Sequence, residues 1–390
     1  MTTRICFPLT TRGNYAKVKS TLQALQKHPS CQAQIVVGGA LLLERYGEFE
    51  ALIEGDGFTI SERIPYLVEG ETLSDMTQSA ARCTAEMGQV IESLAPDITF
   101  VVADRYEALS LAQAALCMNS VIAHLEGGES SGSIDDRIRH AISMLSELHF
   151  PATAGARETL LAFGIPDDDI HVVGTPSLDQ LPDINLDDCS DVTALLDAQG
   201  QGATIDLTED YVVVSQHPVV TEYEDAHRQF VETAGAVRAL GLPTVWILPN
   251  LDAGAQHVTE PVHDLINDST APPVRAVGGL PFLAYAPLLH RADCLIGNTS
   301  SGLREAAFLG TPVVNIGTRQ HARERGPNVA EATYKSENIA AAARQQLEHG
   351  RYDRNSLYGD GHSGVKIADT LAAFAAKNEQ TPNTIKAPAA

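Results

Sequence analysis

Four carboxylates and a histidine fall within 13 residues in His124-Leu125-Glu126-Gly127-Gly128-Glu129 and its continuation Ser130-Ser131-Gly132-Ser133-Ile134-Asp135-Asp136. Carboxylates crowded together raise one another's pKa, which suits a group that must take up and release protons. The glycines let the backbone approach a ligand closely. The plainer alternative is a solvated loop with Asp135 or Asp136 near a helix N-terminus. A second charged group, Ala103-Asp104-Arg105 with Glu107 close behind, follows an apolar run. Asp104 there is a helix cap or an acid/base group. Arg105 opposes the helix dipole and would be compensated by an anion.

The second half of the chain carries further candidates. Gln216-His217-Pro218 follows Tyr211–Ser215, and a lone histidine there is structural or catalytic. Gly297-Asn298-Thr299-Ser300-Ser301-Gly302, followed by Leu303-Arg304-Glu305, is a capped helix start or a set of N–H and hydroxyl donors for a phosphate. Gly317-Thr318-Arg319-Gln320 follows the next apolar run, with Arg323 and Arg325 behind it, and Arg12 stands near the N-terminus. Arginines thus recur where a parallel-sheet protein would hold a diphosphate. There is no G-x-x-x-x-G-K-[ST] and no G-x-G-x-x-G after the first run, which disfavours a P-loop or an ordinary NAD site. The histidines lack zinc-ligand spacing, and no metal or cofactor is expected.

Alternating elements must place these groups. Strands are expected at Ile5–Phe7, Gln34–Val37, Ile98–Val102, Val121–His124 and His171–Val173, then at Tyr211–Ser215, Thr244–Leu248, Cys294–Ile296 and Val313–Ile316. Leu73, Met76, Ala80, Cys83, Met87, Val90 and Leu94 step by three and four and predict a long helix. Val18, Leu22 and Leu25 predict another. Two runs of this alternation imply an α/β chain of two Rossmann-like, doubly wound parallel-sheet domains, whose ligands bind at the carboxyl ends of the strands. The division expected is an N-terminal domain over 1–180, a linker over 181–202, a second domain with a terminal helix over 203–376, and a disordered tail over 377–390.

Bulk properties narrow the function. A chain of 390 residues with 44% hydrophobic and 20% charged residues is an ordinary two-domain globular protein. A net charge of -23 argues against nucleic acid or an anionic membrane as partner. No apolar stretch is long enough to span a membrane, and MTTRICFPLT does not read as a signal sequence, so the cytoplasm is the expected compartment. Six cysteines lie singly, mostly in apolar runs, and are read as buried free thiols.

The motifs resemble a known family. HLEGGESSGSIDDRIRHAIS (His124–Ser143), SQHPV (Ser215–Val219), PNLDAG (Pro249–Gly254), GNTSSGLREAAFLGTPVVNIGTRQ (Gly297–Gln320) and LYGDG (Leu357–Gly361) are similar to those of the hydrolysing UDP-N-acetylglucosamine 2-epimerases, in order from about Thr11 to Gly361. The E-G-G-E, S-G-x-I-D-D and R-H-A-I elements mark the hydrolysing branch. The resemblance implies a fold like the B-type glycosyltransferases, with a cleft between two domains, and a place in sialic or legionaminic acid synthesis. It also implies a homodimer or homotetramer. The implied reaction removes the C2 proton, expels UDP to leave a glycal, and adds water to give the free manno sugar. Carried residue by residue, Asp104, Glu126 and Asp135 match the catalytic carboxylates and His217 the active-site histidine. Arg12, Arg105, Thr299, Ser300 and Arg319 match diphosphate contacts, and Glu305 matches the carboxylate that accepts from the ribose. Asn250, Asp252 and Gly302 lie in matched motifs and are taken as substrate-binding.

Departures concentrate in the first half. Val102-Ala103 stands where relatives commonly have His-Gly, and Ala40-Leu41-Leu42 replaces a common histidine. A 2,4-diacetamido-6-deoxy sugar, more apolar than N-acetylglucosamine, is the expectation these changes raise. Two other classes compete. A B-type glycosyltransferase would need an acceptor groove and leaves the carboxylate cluster unexplained, and a non-catalytic nucleotide-sugar sensor would have no use for Asp104, Glu126, Asp135 and His217.

Overall fold

A computed structural model describes residues 2–43, 49–69, 72–132, 135–249 and 255–380. The chain divides into two compact units, one of residues 1–129, 135–179 and 359–390, the other of 130–134 and 180–358. In the first unit the strands are β1 (Thr3–Leu9), β2 (Cys31–Gly38), β3 (Ile60–Ile64), β4 (Ile98–Val102), β5 (Val121–Leu125) and β6 (Leu148–Phe150). Between them run α1 (Arg12–Ala16), α2 (Lys19–Leu25), α3 (Phe49–Gly55), α4 (Leu73–Leu94), α5 (Tyr106–Cys117) and α6 (Asp135–Leu145), and α7 (Ala154–Ala162) follows β6. The sheet is parallel, in the order β3-β2-β1-β4-β5-β6.

A parallel sheet flanked by helices must be apolar on both faces, and alternate residues of the central strands divide accordingly. Ile5, Phe7 and Leu9 join one core with Ile35 and Val37, while Cys6 and Val36 join the opposite core with Cys83, Met87 and Val90 of α4. Two turns of α4 thus face the sheet as its periodicity predicts, whereas Met76 near its start is exposed.

The second unit repeats the plan. Its elements are α8 (Ser190–Gln199), β7 (Gln201–Gly202), β8 (Val212–Ser215), α9 (Ala226–Leu240), β9 (Thr244–Ile247), α10 (Ala255–Asn267), β10 (Val274–Val277), α11 (Phe282–Arg291), β11 (Cys294–Gly297), α12 (Glu305–Leu309), β12 (Val313–Ile316), β13 (Val329–Ala332) and α13 (Ser336–His349). The order is β13-β12-β11-β8-β9-β10-β7, parallel except for β7 at the edge. Leaving β7 aside, it is the order of the first sheet. In each sheet the chain reverses direction of growth at one place, β1/β4 in the first and β8/β11 in the second, and ligands of such sheets bind at the strand ends there.

Four expectations need correction. His171–Val173 forms no strand; it follows β6 by two backbone bonds, His171 N–H to His149 and Val173 N–H to Pro151. The segment expected as linker contains the ten-residue helix α8. The final helix α14 (Ser363–Gln380) groups with the first unit: Ile367, Ala368 and Leu371 enter its core, and Asp179 caps its start by accepting from the backbone N–H of Ser363 (2.9 Å) and Gly364 (2.6 Å). The cysteines are free, but Cys117 is exposed. The expected disordered tail opens inside α14, and from residue 381 it lies outside the described residues. Among the described residues, no helix is long and apolar enough to cross a membrane.

Candidate active site

The loop after β4 turns sharply. Ala103 adopts a left-handed backbone (φ 60°) and its N–H donates to Leu125 O (3.0 Å), so Asp104 leaves the strand end at once. Glu126, immediately after β5, has the same left-handed backbone (φ 62°). Non-glycine residues pay roughly 1–2 kcal/mol for that conformation. Two of the sequence-predicted carboxylates therefore sit on or beside strained turns at neighbouring strand ends.

Each carboxylate has its own cation. Arg139 of α6 is 1% exposed; its guanidinium donates to Asp104, to Asp136 Oδ1 (2.5 Å) and to the carbonyl of Glu129 (2.7 Å). Glu126, also buried, accepts from Lys17 Nζ (2.5 Å) on Oε2 and from Thr175 Oγ1 (2.8 Å) on Oε1. Neither Arg139 nor Lys17 was among the expected site residues. Arg139 lay inside the R-H-A-I element without being singled out, and Lys17 follows the Arg12 loop at the end of β1. Asp135 opens α6 and is exposed, while its neighbour Asp136 makes the bond to Arg139.

The predicted arginines differ in their engagements. Arg12 is exposed at the first position of α1 and carries no hydrogen bond or ion pair among the described residues, so its charge at that helix start is uncompensated by a carboxylate. Arg105 gives its Nε to buried Glu107 (2.6 Å), which holds the guanidinium by one edge.

Val102, Ala103 and Leu41 are buried in the core that lies beneath β1 and β4, and Leu42 packs against it.

In the second unit, Asn298 organises the switch between β8 and β11. This fully buried side chain accepts from His217 N–H (2.7 Å) on Oδ1 and donates to His217 O (2.9 Å) through Nδ2. The Asn298 backbone carbonyl accepts from Arg319 Nη1 (3.0 Å) and Gln320 Nε2 (3.1 Å). The arrangement brings His217 and Arg319 to one place. Burial, and then the nearby Arg319, push the His217 imidazole down to about 3, so it is neutral at ordinary pH. Gly297 (φ 150°) is required here, because a Cβ would lie 1.9 Å from Ser215 O.

Thr299 caps a single 3-10 turn, Ser300–Gly302, with Ser300 half-buried and Gly302 buried; the helix expected to open there is the five-residue α12, which begins at Glu305. Asn250 and Asp252 lie outside the described residues. Among the described residues, no group of three or more His, Cys, Asp and Glu side chains is placed to hold a metal ion.

Comparison with known proteins bears on family and fold. The family model described as "UDP-N-acetylglucosamine 2-epimerase" matches residues 23–372. The chain is 31% identical over 371 residues to the UDP-N,N'-diacetylbacillosamine 2-epimerase (hydrolyzing) of Legionella pneumophila, covering 95% of this chain and 96% of that one. It is 27% identical over 351 residues to a UDP-N-acetylglucosamine 2-epimerase of Neisseria meningitidis serogroup B, covering 90% and 89%. In fold it is similar to the UDP-GlcNAc 2-epimerase of Methanocaldococcus jannaschii in complex with UDP-GlcNAc and UDP, with a TM-score of 0.79 at 17% identity over 95% of this chain and 99% of that one.

Proposed function

The chain belongs to the UDP-N-acetylglucosamine 2-epimerase family, and from that premise we propose that it is a hydrolysing 2-epimerase, converting a UDP-linked 2-acetamido sugar and water into UDP and the free manno sugar. The observation that carries this reading is the pair of carboxylates at adjacent strand ends, Asp104 and Glu126, each held by its own buried or half-buried cation. A carboxylate in an ion pair is ionised and can accept a proton. Inversion at C2 needs proton transfer on both faces of the sugar, hence two separately placed groups.

The steps balance as follows. One carboxylate takes the C2 proton while the C1–O bond to UDP breaks, leaving a C1–C2 double bond. Water then adds its oxygen to C1, and a proton reaches C2 from the opposite face. Asp104, Glu126 and Asp135 are the acid/base groups of this scheme, and His217, neutral at ordinary pH, is its active-site histidine. Arg12, Arg105, Thr299, Ser300 and Arg319 hold the departing diphosphate, which needs its charge balanced as it leaves, and Gly302 binds substrate. Glu305 accepts from the ribose, and Asn250 and Asp252 bind substrate.

Hydrolysis, as against return of the nucleotide, is supported by the E-G-G-E and S-G-x-I-D-D elements and by the name of the Legionella relative. The sugar carries a 2-acetamido group, the feature common to N-acetylglucosamine and N,N'-diacetylbacillosamine, for which the relatives are named. The same reading makes the protein a cytoplasmic homodimer or homotetramer of sialic or legionaminic acid synthesis.

Incubation with each of these two UDP-sugars, followed by anion-exchange chromatography, tests the proposal. Release of UDP with equimolar free manno sugar from at least one is expected. A UDP-linked epimer without UDP release would contradict hydrolysis, and no turnover of either would contradict the reaction.

A further inference from the structure

His124 is fully buried, yet both its ring nitrogens are engaged. Nε2 lies 2.9 Å from the carbonyl oxygen of Ala103, and Nδ1 lies 3.1 Å from Ser143 Oγ. A carbonyl only accepts, so Nε2 carries the proton; Nδ1 is then a lone pair, and the Ser143 hydroxyl donates to it. The two bonds fix one tautomer and one ring orientation.

Each bond ends on an element that carries the chemistry. Ala103 is the left-handed residue whose turn presents Asp104. Ser143 lies on α6, the helix of Asp136 and Arg139, and Arg139 grips Asp104. The path is therefore closed: His124 to Ala103, Asp104 to Arg139, and along α6 to Ser143 and back to His124. Gly127 gives an independent sign of the same arrangement. A Cβ at Gly127 would lie 2.7 Å from Ser143 Oγ and 2.8 Å from His124 Nδ1. The loop leaving Glu126 thus passes directly over the His124–Ser143 bond, and the first glycine of the E-G-G-E element is what lets it pass.

We propose that His124 is a positioning residue: its imidazole, protonated on Nε2, ties the strained Ala103 turn to α6 in the arrangement that brings Asp104 onto Arg139. This rests on the reading of Asp104 as an acid/base group. An apolar side chain of similar volume would fill the same core space, so packing alone does not call for two directed hydrogen bonds. Burial also pushes the His124 imidazole down to about 4, in keeping with a neutral ring of fixed tautomer.

The test combines a spectroscopic arm with a kinetic one on the full-length protein. In 15N-histidine NMR, the His124 signals are expected to show a protonated Nε2 and an unprotonated Nδ1, unchanged from about pH 8 to about pH 5.5. In the kinetic arm, His124→Leu keeps volume, His124→Gln keeps a donor toward Ala103, and Ser143→Ala removes the partner of Nδ1. Displacing a reacting group by about 1 Å costs on the order of 100-fold in rate. His124→Leu is accordingly expected to lower kcat about 100-fold and Ser143→Ala about 10-fold. KM and the UDP dissociation constant should stay within about twofold, and His124→Gln should recover about tenfold over Leu. A Leu variant with wild-type kcat, or a Gln variant no better than an impaired Leu variant, would overturn the proposal. Should the Leu variant not fold, unchanged kcat in Ser143→Ala overturns it alone. If the wild-type protein turns over neither UDP-sugar, the reaction assignment falls. The NMR arm still decides the tie: a proton on Nδ1, or titration near pH 6.5, refutes it.

Discussion

The ammonium of Lys17, just beyond α1, lies 2.5 Å from Oε2 of Glu126, the residue that follows β5. The two are 109 positions apart in sequence and meet because the parallel strands β1 and β5 bring their carboxyl ends to the same end of the first sheet. Glu126 is 2% exposed, and a buried carboxylate without a cation is costly. Lys17 therefore supplies the positive charge that balances a carboxylate buried at this strand end.

Lys17→Met should lower kcat at least about 100-fold and destabilise the protein by roughly 1–3 kcal/mol, less than for a fully buried pair because the ammonium is partly exposed. Adding Glu126→Gln should restore the melting temperature, by removing the orphaned charge, without restoring turnover. Thermal melts and steady-state rates of the two single variants and the double variant check this.

Arg139 serves three acceptors on Asp104, Asp136 and the Glu129 carbonyl, a geometry that the planar fork of arginine can satisfy and a single ammonium cannot. Arg139→Lys should therefore retain charge but lose about 100-fold in kcat. Its UDP affinity, measured by calorimetry, should change by less than about threefold, since the proposed diphosphate contacts are other residues.

Asn298→Ala removes both bonds to the His217 backbone and leaves a buried N–H without its acceptor. Two lost hydrogen bonds and one orphaned donor amount to about 2–4 kcal/mol. Denaturant unfolding should show that loss, and UDP binding should weaken because the His217 backbone loses its tie to residue 298, while Arg319 keeps its bond to the backbone carbonyl that alanine retains.

Stability should fall on the acid side. Burial lowers His124 to about 4 and His149 and His217 to about 3, against an ordinary value of 6.5. A lowered histidine favours the neutral form in the folded state, so the unfolded chain binds the extra proton below about pH 6.5. The cost of each grows by about 1.4 kcal/mol per pH unit from there down to its folded value, then levels off. The melting temperature should be flat above about pH 7 and drop steeply between about pH 6 and pH 4, and His149→Asn should make that drop shallower. A flat melting temperature from pH 7 to pH 5 would contradict the assignment.

Much of this organisation is legible in the amino-acid sequence, and the exceptions have physical reasons. Central strands such as Ile98–Val102 and Cys294–Gly297 are buried on both faces, so they read as unbroken apolar runs. Edge strands β3 (ISERI) and β13 (VAEA) are half-exposed, short and mixed with charge, and their sequences carry no such run. β10 (VRAV) is fully buried but contains Arg275, whose guanidinium is absorbed by the carbonyls of Leu196, Asp197 and Gly202. The carboxylates of the site stand out because they follow strands in tight clusters. Their cations do not: Lys17 and Arg139 meet Glu126 and Asp104 across 109 and 35 positions, and only the order of the sheet brings them together. Likewise, the role of Asn298 depends on the backbone of His217, 81 positions away.

The most direct test is an NMR time course of the wild-type enzyme in deuterated water, with UDP-N-acetylglucosamine and, separately, its 2,4-diacetamido-6-deoxy counterpart. Two acid/base groups acting on opposite faces predict UDP, the free manno sugar and deuterium at C2 of that product. A free sugar that keeps its original proton and gluco configuration at C2 would mean simple hydrolysis and would contradict the account.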